Sequence, residues 1–419
     1  MMKLRVNQRI IDDVLMLLMF CVSGNPAFTL TEPLGKVVHG VFLIIVLAAS
    51  GFKIRQTALK HAAIWIVLTG CIFIAQYLRF GYITLLGSLN LIVKILCAIL
   101  LASYLGERLP RTALRVMTGI CIVALVFYAI NLTGVRFHSP IKITTKGESL
   151  IIYTQTWEDP MDQSLFRNSG MFWEPGAFAG YIMAVLLLFV DRVKLLFGKY
   201  RWHFAILSLA LLTTTSTTGY ITYALLMVYF IFRWGITGRK KIYAFVAAAV
   251  ILAGASYAFT HFEFLGEKIR DEMTATEKQK DSDVNFSRMG SLIFDMQYIL
   301  SSPIYGNGLA GVTRFRYHLG TYDEEDLSGF GNGFSGCIAS MGLLFMLSYL
   351  IGIGTNRTLR ARWVVILLII LLLQGEYFLN YPFYLMFPFI QYGPKLPDKK
   401  RKYKLKLRWK AKTPVASPS

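Results

Sequence analysis

RNSGMFWEPGAFAGY, residues Arg167 to Tyr181, joins a polar stretch to an apolar run that can begin a membrane helix. Pro175 suits the first turn of a helix, where a missing N–H removes no bond. Glu174 is thereby expected at the positive end of the helix dipole, beside Phe172 and Trp173 at the membrane face. A carboxylate at that address is either an N-cap next to an aromatic belt or a working group. The rest of the chain bears on which.

Hydrophobic residues make up 55% of the 419-residue chain and charged residues only 16%, with apolar runs along most of its length. This excludes a soluble domain on a single anchor and indicates a polytopic membrane protein. Backbone groups in lipid must be satisfied internally, by helices or a closed barrel. The runs are continuous, not alternating, so helices are expected. The fold class is therefore an all-α polytopic integral membrane protein with about twelve transmembrane helices. They are expected near 10–25, 36–52, 61–78, 82–105, 112–132, 175–191, 203–217, 219–233, 242–260, 336–354, 361–375 and 377–392. The last two can equally form one broken hairpin that turns outward at Gln374–Glu376. Residues 1–392 form a single transmembrane domain, and 393–419 a basic cytoplasmic tail. The first run follows Lys3, Arg5 and Arg9 without a convincing small-residue cleavage site, so it reads as a span and not a signal peptide.

The net charge of +20 is unevenly placed. Basic groups follow every second span: Lys53/Arg55/Lys60, Arg108/Arg111/Arg115, Arg192 to Arg201, Arg233 to Lys241, and Arg357 to Arg362. A further run extends from Lys395 to Lys412. This positive-inside pattern puts both termini in the cytoplasm and makes the tail a lipid-surface anchor, not a nucleic-acid arm. The five cysteines, at 21, 71, 97, 121 and 337, lack metal-ligand spacing and read as packing residues. No internal repeat pairs two halves of the chain, as a transporter of inverted repeats would require.

Two outward segments are too long to be simple connectors, 133–174 and 261–335. In the larger, Phe262–Lys280 is charged and helical in pattern. Asn285–Leu300 has apolar residues at 289, 292, 293, 296, 299 and 300, one face of an amphipathic helix lying at the interface. Arg288 falls in its first turn and Asp295 two turns on. Pro303 ends it, and a Gly-rich link leads to Arg314, Arg316 and His318. Asp323 to Asp326 precede GFGNGFSG, where the chain returns to the membrane. The polar run Thr213–Thr218 makes another outward turn.

An outward-facing enzyme needs a donor activated beforehand, such as a polyprenyl diphosphate sugar. Its diphosphate calls for guanidinium groups, whose planar fork binds two oxygens. Its acceptor hydroxyl calls for a carboxylate or imidazole as base. Arg167, Arg288, Arg314 and Arg316 are the candidate diphosphate ligands. Glu174 and His318 are the candidate bases, with Trp173, Asn332 and Glu376 as substrate-binding groups. No metal or other cofactor is required. Asp281 and Asp283 form a weak acidic pair in a charged stretch, and Asp323–Asp326 reads as solvated surface. Asn90 and Lys94 lie four apart on one helix face, several turns inside the membrane, where an ionisable residue is a functional candidate.

Three stretches give the chain a resemblance to the Wzy-type O-antigen polymerase and O-antigen ligase superfamily. RNSGMFWEPGAFAGY is similar to that family's Arg…Gly…Glu-Pro-Gly helix start. TTTSTTGY (Thr213–Tyr220) is similar to a Ser/Thr-rich link of polymerase-like members. SRMGSLIFDMQYILSSPIYGNGLAG (Ser287–Gly311) resembles the Arg-led helix, Pro and Gly-x-Gly of the large periplasmic loop. The likeness spans roughly residues 60 to 392. It implies glycan transfer from undecaprenyl diphosphate, the carrier being substrate, at the outer face of a bacterial cytoplasmic membrane. Arg167 and Arg288 match the family's diphosphate-binding arginines by context, and Glu174 matches its Glu. Gly331 stands where ligases show the His of a His-Asn pair, though Asn332 is kept, and the Ser/Thr turn lacks the Arg that ligases place there. Both departures favour a polymerase of lipid-linked oligosaccharide repeats, with membrane lipid and a chain-length regulator as further partners and no nucleic acid. A ligase and a flippase or exporter are the alternatives.

Overall fold

The computed structural model describes residues 7–29, 34–139, 141–144, 147–157, 166–234, 288–317, 332–356 and 359–392. The chain begins with α1 (Gln8–Gly24), capped by the Asn7 side chain, which accepts from Arg9 N–H at 3.0 Å. A short α2 (Pro26–Thr29) and α3 (Leu34–Ala49) follow, then α4 (Gln56–Phe80), which ends at Gly81 in the left-handed region. α5 (Leu85–Leu105) and α6 (Leu109–Leu132) are separated by a 3-10 turn at Gly106–Arg108. After the 133–174 segment come α7 (Pro175–Leu187), α8 (Val193–Phe197), α9 (Arg201–Leu212) and α10 (Thr217–Arg233). The later chain supplies α11 (Arg288–Ser301), α12 (Gly311–Arg314), α13 (Gly333–Gly354), α14 (Arg362–Leu373) and α15 (Pro382–Leu385).

The stretches Gln56–Phe80, Leu85–Leu132 and Gly333–Gly354 are long and apolar enough to cross a membrane. The second comprises α5 and α6, bent at Gly106. Large apolar side chains stay exposed on several helices, among them Ile44, Val67, Leu78, Ile122, Leu347 and Trp363. So broad an apolar surface is compatible with lipid contact.

α7 sits at the centre. Ala177 to Leu187 are buried all round, as expected of a helix apolar on every face. Small residues let its neighbours come close, which is how helices pack where lipid competes equally for apolar surface. A Cβ on Gly180 would overlap the Phe378 ring, and one on Gly219 of α10 would lie 2.7 Å from Ala179 Cβ. Basic groups assigned above to one side of the membrane meet aspartates. Arg108 pairs with Asp12, Arg115 with Asp13, and Arg233 with Asp191 at 3.8 Å.

Three expectations are corrected. The 133–174 segment is not all loop: β1 (Ile141–Thr144), β2 (Gly147–Ser149), β3 (Thr154–Trp157) and β4 (Phe166–Asn168) form an antiparallel meander, so the fold is mostly helical with a small sheet. Residues 377–392 are not one helix. Pro382 and Pro388 cannot donate to a helical ladder, and the segment resolves into α15 and two 3-10 turns, Phe378–Asn380 and Phe387–Tyr392. It is nonetheless buried, bonded to Ser23 at one end (Phe383 N–H to Oγ, 3.0 Å) and to Asn356 at the other (Nδ2–H to Phe387 O, 2.8 Å). Third, the apolar residues Ile293, Met296 and Leu300 of α11 face outward, while Ser291, Asp295 and Tyr298 are buried. Phe294 is buried with them, so the inward face of the helix is mixed, an aromatic pair beside Ser291 and Asp295. The helical expectation for 262–280 and the span at 242–260 lie outside the described residues, as does the basic tail. Of the cysteines, Cys97, Cys121 and Cys337 are buried, but Cys71 is exposed.

α13 is broken at Gly342 (φ 79°), and the segment after α11 fills the break. Asn307 and Gly308 N–H donate to the carbonyls of Ala339 and Ser340 (2.8 and 2.9 Å). In return Leu343 and Leu344 N–H donate to Pro303 and Ile304 carbonyls (2.8 and 3.0 Å). Four backbone groups at the kink are thereby re-bonded, as irregular backbone in a membrane protein requires. A Cβ on Gly342 would overlap the Ile304 carbonyl, and one on Gly306 the Ser340 carbonyl. The Pro and Gly-x-Gly pattern of the sequence thus has a packing role.

Candidate functional site

Arg167 lies on β4, half-buried, and its guanidinium reaches the Thr213–Thr218 turn. Nε donates to Thr215 Oγ1 (2.7 Å), and Nη2 to the carbonyls of Thr215 (2.9 Å) and Thr214 (3.3 Å). Asn168 adds a bond from Nδ2 to Thr213 Oγ1 at 2.8 Å. Two stretches singled out in the sequence are therefore joined, and Arg167 fixes the polar turn to the base of α7.

From there the chain turns through Phe172, stacked on Tyr181 at 4.4 Å, and arrives at Glu174. Glu174 occupies the N-cap position of α7, yet its side chain makes no capping bond. Glu376 lies nearby. Both carboxylates close over Gly176: a Cβ there would lie 2.9 Å from Glu174 Oε1 and 3.4 Å from Glu376 Oε1. Trp173 stacks on Tyr381 at 4.8 Å, walling the pair with aromatic surface. Behind Tyr381 sits Lys94, buried, with Nζ donating to Asn380 Oδ1 (3.0 Å) and lying 5.8 Å from the Tyr381 ring centroid. The Lys94 that stood out in the sequence thus lies one residue layer below the two carboxylates.

Asn332 caps α13, accepting from Ser335 N–H at 3.1 Å, and donates through Nδ2 to Gln374 Oε1 at 2.8 Å. Close backbone packing accompanies this contact, since a Cβ on Gly333 would overlap the Glu376 carbonyl. Asn332 therefore holds the turn that carries Glu376. Ser335 Oγ donates to Asp295 Oδ2 (2.6 Å), and Asp295 in turn pairs with Arg314, fully buried. Burial pushes the Asp295 carboxyl up, while Arg314 and the Ser335 hydroxyl pull it down. Arg314 also donates to Ser340 Oγ (3.2 Å) and lies over the rings of Tyr298 and Phe315 (5.0 and 4.9 Å).

The four expected diphosphate ligands are therefore not alike. Arg167 is bound to the Ser/Thr turn, and Arg314 is closed inside an ion pair that docks α11 on α13. Arg316 remains half-exposed, donating to Ser301 Oγ (3.0 Å) and Tyr317 Oη (2.7 Å). Arg288 begins α11, with its side chain outside the described residues, as is His318 altogether. Asp281, Asp283 and Asp323–Asp326 are outside them too. Among the described residues no cluster of three or more His, Cys, Asp and Glu forms a metal-binding group. Tyr381 and Asn380 were missed in the sequence, because they sit in what reads as a plain apolar span.

Comparison with protein-family models, with curated proteins and with solved structures finds no match to this chain.

Proposed function

We propose that the protein is a polysaccharide polymerase, a glycosyltransferase joining undecaprenyl-diphosphate-linked repeat units at the outer face of a bacterial cytoplasmic membrane. The observation that carries this reading is the meeting of Glu174 and Glu376 near Gly176, at the start of the central helix, with Trp173 and Tyr381 beside them. Carboxylates backed by aromatic rings suit a sugar, which offers hydroxyls at its edge and C–H groups on its face. Twelve crossings in the positive-inside sense, the broken 377–392 segment included, would put this group on the outward side with both termini in the cytoplasm.

In the reaction, a hydroxyl of the incoming unit attacks the anomeric carbon of the growing chain. A new glycosidic C–O bond forms, and the bond from that carbon to the diphosphate oxygen breaks, its electron pair leaving with the carrier. Glu174 takes the hydroxyl proton, Glu376 orients the acceptor, and His318 is the second candidate base. Arg316 and Arg288 hold the departing diphosphate, where fixed cations in a partly dry site stabilise developing charge. Arg167 and Arg314 act by position, through the Thr turn and the α11–α13 dock.

A strain lacking the gene tests the reading through its surface glycan on a gel. A single repeat per anchor is the expected result. A carrier-bound polymer never passed to its acceptor would indicate a ligase, and an unchanged ladder would refute the proposal.

A further inference from the structure

Arg79, at the outer end of α4, has little in the sequence to mark it beyond its place after an apolar run. In the fold it meets Arg316. Arg79 is exposed and donates to the Tyr305 hydroxyl (2.9 Å) and the Ser301 carbonyl (2.7 Å). Arg316 donates to the hydroxyl of the same Ser301, to the Asn307 amide oxygen and to Tyr317 Oη. Both guanidinium carbons lie near the Phe80 ring, at 5.7 and 4.8 Å from its centroid.

Every one of these partners is neutral. Among the described residues, no carboxylate pairs with either arginine, whereas Arg108, Arg115, Arg233 and Arg314 each face an aspartate. Two cations side by side repel, and among the described residues no carboxylate offsets them. It is not needed to hold the backbone either. Gln76, one turn earlier, is buried and already ties α4 to the Tyr305 and Ser340 carbonyls, the latter at 2.9 Å. The local field is felt by Tyr317, whose hydroxyl is held below the usual phenol range, first by its bond from Arg316 and also by both arginine charges. Beside the pair in the chain, Leu78, Leu300 and Ile304 are exposed, at 79%, 73% and 61%. A cationic pair with exposed apolar side chains next to its residues in the chain matches a molecule with an anionic head and a hydrocarbon tail.

We propose that Arg79 and Arg316 form a binding site for a membrane lipid whose headgroup is a terminal phosphate or diphosphate. Both guanidinium groups keep N–H donors unused by their neighbours, and the planar fork fits phosphate oxygens in pairs. If that lipid is the donor's carrier, the inference rests on the proposed function and adds Arg79 to its donor side.

The test uses the full-length protein in phosphatidylcholine nanodiscs with farnesyl diphosphate as probe, and farnesol and inorganic pyrophosphate as comparisons. Farnesyl diphosphate should bind, and Arg79→Gln and Arg316→Gln should each weaken it about tenfold or more. Arg201→Gln, a control far along the chain, should leave binding unchanged, and an unaltered melting profile shows that the variants fold. Competition by pyrophosphate supports recognition of the head, with or without its tail. Farnesol binding as tightly as its diphosphate, or unchanged affinity in the double variant, overturns the site. Binding that needs both arginines, in a protein that never elongates verified lipid-linked repeats, keeps this site and removes the polymerase reading. Unchanged binding in the double variant, beside a wild-type protein that elongates verified repeats, removes this site and the donor role of Arg316 while keeping the polymerase reading.

Discussion

Replacing Asp295 with Ala isolates the ion pair that docks α11 on α13. Asp295 is fully buried, and the Arg314 side chain is only 6% exposed. Without the carboxylate, the guanidinium would keep Ser340 Oγ at 3.2 Å and two aromatic faces, but no counter-charge among the described residues. Removing one partner of a buried pair leaves the other charge uncompensated and costs about 3–5 kcal/mol. An exposed pair would cost only about 0–1 kcal/mol. Asp295→Leu combined with Arg314→Met removes both charges at similar volume, so most of the loss should be recovered. The assay is unfolding of the purified protein by SDS in mixed micelles, followed by tryptophan fluorescence, for the wild type, both single variants and the double variant. A loss below about 1 kcal/mol for Asp295→Ala would refute the argument. So would a double variant no more stable than the single ones.

Other consequences are equally direct. Gly176→Val should stop elongation while leaving the melting profile intact, because the added methyls fill the space between Glu174 and Glu376 and displace only side-chain ends; normal elongation would show that this space is not used. Gly342→Val should destabilise by about 3 kcal/mol or more, from a branched side chain at positive φ and a clash with the Ile304 carbonyl. Wild-type accumulation and unfolding of that variant would contradict the account of the α13 break. In a titration of ¹³C-tyrosine-labelled protein, Tyr317 should ionise below the ordinary tyrosine range, since neighbouring cations favour phenolate. Arg316→Gln should move it back up, and an unmoved resonance would count against the pairing of cations at Arg79 and Arg316.

The central helix could be read from the sequence because its signals are local: Pro175 in the first turn, a continuous apolar run, and small residues at Gly176, Ala177, Ala179 and Gly180. The broken 377–392 segment shows the limit. Hydropathy marks it as buried but does not separate one helix from three short turns, and only Pro382 and Pro388 hinted at the difference. The sheet went unseen because its strands are three or four residues long, too short for a period to emerge. In the sequence Asp295 reads as a position on the amphipathic helix and Arg314 as a candidate diphosphate ligand. Their pairing depends on how α11 lies against α13, which no spacing encodes. The same holds for Glu174 and Glu376, brought together from distant parts of the chain by packing at Gly176 and Gly333.

The most direct measurement of the central claim supplies the purified protein with lipid-linked repeat units alone and resolves the products by length. The account predicts a ladder of carrier-bound polymers, lost in Glu174→Gln and Glu376→Gln variants that remain folded. No product from a verified substrate, or an undiminished ladder from both variants, would contradict it.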